Sequence, residues 1–194
     1  MKKEDKLNIT KTKLIDATYK LVNECEDPTE VTSRAIANEA GVKLSMINYC
    51  FGAREALLLE AARRDEQEYF TKFNFEKILK SKKRPKEKIR QMHYVVADYL
   101  INSYKFTKAV TGYVLLNRDL TQGLNSLKLV EEHFILNSIK KEDWELKLIS
   151  YQLSSMTQLV IYRLDDMSDF LGRDIQKHIR EVIDLQLDLM LPGK

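Results

Sequence analysis

Residues 32–58 read TSRAIANEAGVKLSMINYCFGAREALL, and the fold turns on them. Two short helical patterns flank Gly41, and a third begins after Gly52. Thr32 is placed to cap the first, its hydroxyl taking a backbone N–H that no helical carbonyl reaches. Gly41 suits the left-handed residue that stops a helix without a Cβ clash. Helices this short do not persist in water on propensity alone, so they must be packed. Ala35, Ile36, Ala40, Val42 and Ile47 supply the apolar contacts, and the small Ala37 and Ala40 let two helices cross closely. Gly41–Val42–Lys43 is the short, Gly-containing turn of a helix-turn-helix. Held on a three-helix core, such a pair can lay its second helix in a major groove about 12 Å wide. Lys43, Ser45, Met46, Asn48 and Tyr49 are its outward positions, with donors and acceptors on the scale of base edges and phosphates. On spacing alone the same geometry serves equally well as plain packing.

The remainder of the chain bounds the choice. Of 194 residues, 44% are hydrophobic and 31% charged, the balance of a globular protein. No apolar run approaches the roughly 18 residues that cross a bilayer. The opening MKKEDKLNITKTK has no apolar stretch behind it, so it does not read as a secretory signal; a cytoplasmic location is the expectation. Two cysteines, Cys25 and Cys50, exclude a disulfide framework. Net charge is only +3, so nucleic-acid binding must be argued from local distribution.

Six glycines and three prolines are sparse, and apolar residues recur at three and four almost throughout, which predicts an all-α chain. About nine helices are expected, over 10–24, 33–40, 44–50, 54–79, a stretch from Pro85 onward, 105–116, 121–138, 142–167 and 173–190. The division expected is a helix-turn-helix domain over 1–53 and a helical domain over 54–194, with 54–79 connecting them. The last two helices carry apolar residues on more than one side, Leu146 and Ile161 in one, Leu185 and Leu189 in the other. A second apolar face must be buried somewhere, and a dimer interface through these helices is the expectation.

Residues 32–58 resemble the signature of the TetR family of bacterial transcriptional regulators. Thr32, Ile36, Ala37, Ala40, Gly41, Val42, Tyr49, Phe51, Arg54 and Leu57 fall on its pattern, while Asn48 and Cys50 stand where other residues are frequent. The resemblance implies a homodimer on a palindromic double-stranded DNA operator, with a C-terminal bundle that dimerises and holds a small-molecule inducer. It implies phosphate contacts for Thr32 and Tyr49, and for Arg54 a phosphate held with the positive end of the fourth helix. Ser33, Arg34, Lys43, Ser45, Met46 and Asn48 are the candidates for groove contacts. Arg34 is the candidate for a guanine, whose O6 and N7 match its fork. The function implied is a repressor released by its inducer. The alternative is the same DNA-binding fold with no inducer, its bundle acting as a protein-interaction module.

Outside the signature, the candidates for a ligand pocket are Tyr94, Tyr99, Tyr113, Phe134, Trp144, Tyr151 and Met156, each of which also reads as ordinary core. Gly112, inside a helical pattern, would leave room beside it. Residues 77–90 hold eight Lys or Arg against Glu87 alone; a solvated helix junction is the simpler reading, contact with DNA or anionic lipid the other. His93, His133 and His178 lack partners at metal-ligand spacing, and no nucleophile elbow, phosphate loop or dinucleotide fingerprint occurs. Neither a metal, a cofactor nor an enzymatic activity is expected.

Overall fold

The computed structural model describes residues 3–73, 75–117 and 124–193. Among them every regular element is helical, as the periodicity predicts. The α-helices are α1 (Lys3–Glu24), α2 (Ser33–Ala40), α3 (Ser45–Phe51), α4 (Arg54–Phe73), α5 (Phe75–Lys80), α6 (Pro85–Asn102), α7 (Tyr104–Asn117), α8 (Leu124–Leu136), α9 (Asp143–Tyr162), α10 (Leu164–Leu171) and α11 (Ile175–Met190), with a 3-10 turn at Pro28–Glu30. No described helix is long and apolar enough to cross a membrane.

Two of the expected helices are divided. The span 54–79 is α4 followed by α5, with residue 74 outside the described residues. The span 142–167 ends at Arg163, whose backbone leaves the helical region (φ −104°, ψ 35°), and α10 starts immediately after it. Asp165 and Asp166 then occupy the first turn of a new helix, where the N-terminal dipole favours negative charge. Within one continuous helix they would have stood near its C-terminal end, the unfavourable one. α1 starts seven residues before the expected Thr10, with Glu4 and Asp5 in its first turn. The expected start of the seventh helix at Thr121 lies outside the described residues.

The chain gathers into two compact units: the described residues up to Glu68 with Ser103–Leu116, and Tyr69–Asn102 with the chain from Asn117 onward. These units part after Glu68, within α4. Leu57, Leu58 and Ala61 of α4 are fully buried in one core with Leu14, Val22, Ile36, Ala37 and Ile47, and Phe106 and Val110 of α7 join that core. Phe106 stacks on Tyr19 with centroids 5.6 Å apart. Lys105 donates to the Asn23 and Cys25 carbonyls, each at 2.7 Å, satisfying acceptors at the end of α1 that have no helical partner.

In the second unit α6 packs against α8, α9 and α11, and Ile89, Ala97, Leu153, Ile161, Ile183 and Leu187 are buried. The basic run is partly absorbed here. Lys86 donates to the Leu191 carbonyl at 2.8 Å and pairs with Asp188 at 2.9 Å. Arg90 holds Asp184 at 2.8 Å and Glu87, while Lys82, Lys83 and Arg84 remain exposed. The Tyr94 hydroxyl donates to Asp184 at 2.6 Å; burial, with Asp184 beside it, pushes the Tyr94 phenol up to about 12.

His93 of α6 is buried, its Nδ1 3.1 Å from Thr157 Oγ1 on α9. Burial pushes its imidazole down from 6.5 to about 4. The unfolded chain therefore takes up a proton at higher pH than the folded one. The associated stability is complete above about pH 6.5 and is lost as pH falls towards about 4, a difference of about 3 kcal/mol. Urea midpoints measured between pH 7 and pH 4 should fall more steeply for the wild type than for His93→Gln. Parallel profiles would assign the acid sensitivity to other groups.

Candidate nucleic-acid interface

The start of α2 is held from three sides. Asp27 Oδ1 accepts the Thr29 N–H at 2.9 Å and its hydroxyl at 2.7 Å, fixing the 3-10 turn. These bonds hold the Asp27 carboxyl below its ordinary range. Thr32 caps α2, accepting the Ala35 N–H at 3.2 Å; its hydroxyl hydrogen is left to donate elsewhere. Arg54, at the start of α4, donates Nη1 to the Val31 carbonyl at 2.7 Å and the Thr29 carbonyl at 3.4 Å, and Nε to Glu55 at 3.0 Å. Its side chain is only 25% exposed. Through Nε and Nη1, Arg54 thereby clamps the segment before α2. The residue pattern carries no sign of this, because the carbonyls it meets lie more than twenty residues away.

α2 ends at Gly41 in the left-handed region (φ 64°). The Gly41 N–H reaches the Asn38 carbonyl at 3.1 Å and the Val42 N–H the Ala37 carbonyl at 3.0 Å, the paired bonds of a Schellman end. A side chain at 41 would meet no neighbouring atom, so the backbone conformation alone calls for glycine. Ile36, Ala37 and Ile47 are buried and pin α2 and α3 to the core. Lys43, Leu44, Ser45, Asn48 and Tyr49 are exposed and Met46 is half-buried. On α2, Thr32 and Arg34 are exposed and Ser33 is half-buried. The candidates other than Arg54 thus share the surface of one helix pair.

α1 adds residues that the pattern of 32–58 does not reveal. Glu4, Lys6, Leu7 and Thr10 line an open groove of about 450 Å³ together with Met46 and Tyr49 of α3. The one available signal is the basic N-terminal run. It goes unread when the first helix is expected to begin at Thr10, which leaves Lys6 off the helix.

The seven pocket candidates are distributed over both units. Tyr99 and Phe134 are buried in the second unit, and Tyr99 lies 5.1 Å from Tyr69, centroid to centroid. Tyr94 is half-buried and bound to Asp184. Tyr113 belongs to the first unit. Trp144, Tyr151 and Met156 are exposed on α9, so they are corrected from cavity to surface. The inward stripe of α9 is Leu146, Ser150, Leu153, Thr157 and Ile161; a helix with two apolar faces gives no periodic clue to which one turns inward. A Cβ at Gly112 would meet nothing within 4 Å. Among the described residues no cluster of His, Cys, Asp and Glu is arranged to hold a metal.

A helix-turn-helix unit and a larger helical unit on one chain make the fold of the TetR-family regulators. Over 95% of this chain and 96% of its own, the structure is similar to Thermus thermophilus FadR, a TetR-family transcriptional repressor solved with lauroyl-CoA (TM-score 0.66, 19% identity). It is similar also to a TetR transcriptional regulator from Rhodococcus sp. RHA1, over 96% of this chain and 97% of that one (TM-score 0.61, 15% identity). A TetR-like regulator from the same organism matches over 95% and 97% of the two chains (TM-score 0.54, 15% identity). At these identities the likeness is one of fold. Comparison with protein-family models and with curated proteins finds no match.

Proposed function

We propose that this chain is a homodimeric DNA-binding transcriptional regulator, a repressor that leaves a palindromic operator when a small molecule occupies its second unit. The observation that carries the reading is α3: anchored by the buried Ile47, it exposes Ser45, Asn48 and Tyr49, with Lys43 exposed just before it, behind a glycine-closed turn. That is a reading helix supported by a rigid core. The proteins of like fold named above are regulators, and no enzymatic activity is assigned.

Two recognition helices engage a palindrome only when they sit about one DNA turn apart. A ligand releases the operator only through its differential affinity for the bound and free conformations. The similar repressor solved with lauroyl-CoA, a fatty-acyl thioester, supports an effector that carries an apolar chain. The test of the whole reading is selection from a randomised duplex library at near-physiological salt. Recovery of a palindromic site is expected; weak, salt-sensitive binding without a motif would overturn it.

Arg34 is exposed at the start of α2 and is assigned a base contact. Arg34→Ala should cost about 1–3 kcal/mol on the selected site and relax preference at one position of each half-site. An unchanged sequence profile with uniformly weaker binding would reassign Arg34 to the phosphates.

A further inference from the structure

We propose that His93, Thr157 and Gln186 form a buried, uncharged recognition site in the second unit for a neutral hydrogen-bonding group, a carboxamide or hydroxyl, on an apolar effector. This rests on the reading of that unit as an effector domain and names the chemistry the effector presents.

Three helices meet here. His93 (α6), Thr157 (α9) and Gln186 (α11) are 9%, 2% and 7% exposed, amid the aliphatic Leu153, Ile183 and Leu187 of the same inward faces. Thr157 Oγ1 lies 3.1 Å from His93 Nδ1, 3.2 Å from the Leu153 carbonyl and 3.3 Å from Gln186 Oε1. One hydroxyl hydrogen serves at most one of the last two, so with either His93 tautomer the Leu153 carbonyl and Gln186 Oε1 compete for a single proton. Gln186 Nε2 is buried and has no partner. Exchanging the amide oxygen and nitrogen does not repair this: Nε2 would then meet Thr157 and the oxygen would be stranded. Either way one buried amide atom awaits a counterpart, which aliphatic packing would not require.

The same interior excludes a charged counterpart. Among the described residues, the buried polar side chains of this unit are His93, Ser126, His133, Ser150, Thr157 and Gln186, with no Asp, Glu, Lys or Arg. Ser126 and Ser150 face each other at 2.6 Å, and His133 Nε2 meets the Pro192 carbonyl at 3.0 Å. The ionised groups nearest along α6 and α11, Arg90, Asp184 and Asp188, are paired together, Asp188 also with Lys86. A buried carboxylate, phosphate or ammonium would find no free counter-charge, and its desolvation would go uncompensated. A carbonyl or hydroxyl oxygen would accept from Gln186 at little cost.

Full-length protein is titrated calorimetrically with decanamide, 1-decanol, decanoate and decylammonium, four probes of one chain length and three charges. Decanamide or 1-decanol should bind at least tenfold tighter than either ion. Gln186→Leu should lose at least tenfold of that affinity, and the Gln186 side-chain amide resonances should shift on addition of the neutral probe. Thr157→Val serves if Gln186→Leu does not fold. The proposal is overturned if an ion binds as tightly, if the variants bind as the wild type does, or if neither neutral probe binds, which would leave Gln186 bridged by a structural water. Operator selection is run separately without probe. Failure of these titrations with a palindrome recovered overturns this site alone; neutral-probe binding without any recovered DNA motif overturns the regulator reading alone.

Discussion

Arg54→Ala is expected to weaken binding to the selected operator by about tenfold or more, roughly 1.4 kcal/mol, while the slope of binding against salt stays at its wild-type value. The family pattern implies the opposite signature. Were Arg54 bound to a phosphate, its removal would flatten the salt slope by about one unit, because one fewer counterion is released on binding. The structure commits Nε–H and Nη1 of Arg54 to Glu55, Val31 and Thr29. Removing them leaves the Val31 carbonyl unmet beside the cap of α2. A backbone hydrogen bond from a charged donor contributes about 1.5–3 kcal/mol, so thermal stability should fall together with DNA affinity. Arg54→Lys should recover little, since one ammonium cannot span two carbonyls and a carboxylate in the same geometry. A slope reduced by one unit at unchanged melting temperature would restore Arg54 to the phosphates.

The second large effect concerns assembly. Leu185 and Leu189 are 61% and 75% exposed on α11, and Trp144, Leu148, Tyr151 and Leu159 are exposed along α9. Their spacing on α9 follows the three-and-four rule of a second apolar face, which isolated surface residues would not do. We expect the wild type to sediment as a dimer and Leu185→Glu/Leu189→Glu as a monomer. Because both side chains already face solvent in the single chain, folding of the monomer should change by no more than about 0.5 kcal/mol for each substitution. Operator affinity should fall at least a hundredfold, as a lone reading head engages one half-site. A wild-type monomer, or a variant that still sediments as a dimer, would remove α9 and α11 from the interface.

Much of this molecule is legible in local chemistry. The all-α class follows from periodicity, and the Thr32 cap and the Gly41 stop follow from residues whose hydrogen bonds lie within a few positions. So does the outward set Lys43, Ser45, Asn48 and Tyr49, because a short helix pinned by Ile47 has only one free side. The helix breaks are less visible. At Arg163 no proline or glycine interrupts the pattern, and only Asp165 and Asp166, acidic residues suited to a new first turn, hint at α10.

The helix-turn-helix is thus written in the chain itself, its caps, turn and exposed face set by interactions short in sequence. Folding had to bring Arg54 onto the approach to α2, set Lys6 and Thr10 beside Tyr49 in one groove, and turn Trp144, Tyr151 and Met156 outward. The meeting of His93, Thr157 and Gln186 likewise exists only in the folded chain. The physical reason is range. Most of these arrangements join groups tens of residues apart through burial, and a helix with two apolar faces carries no local mark of which one the core will take.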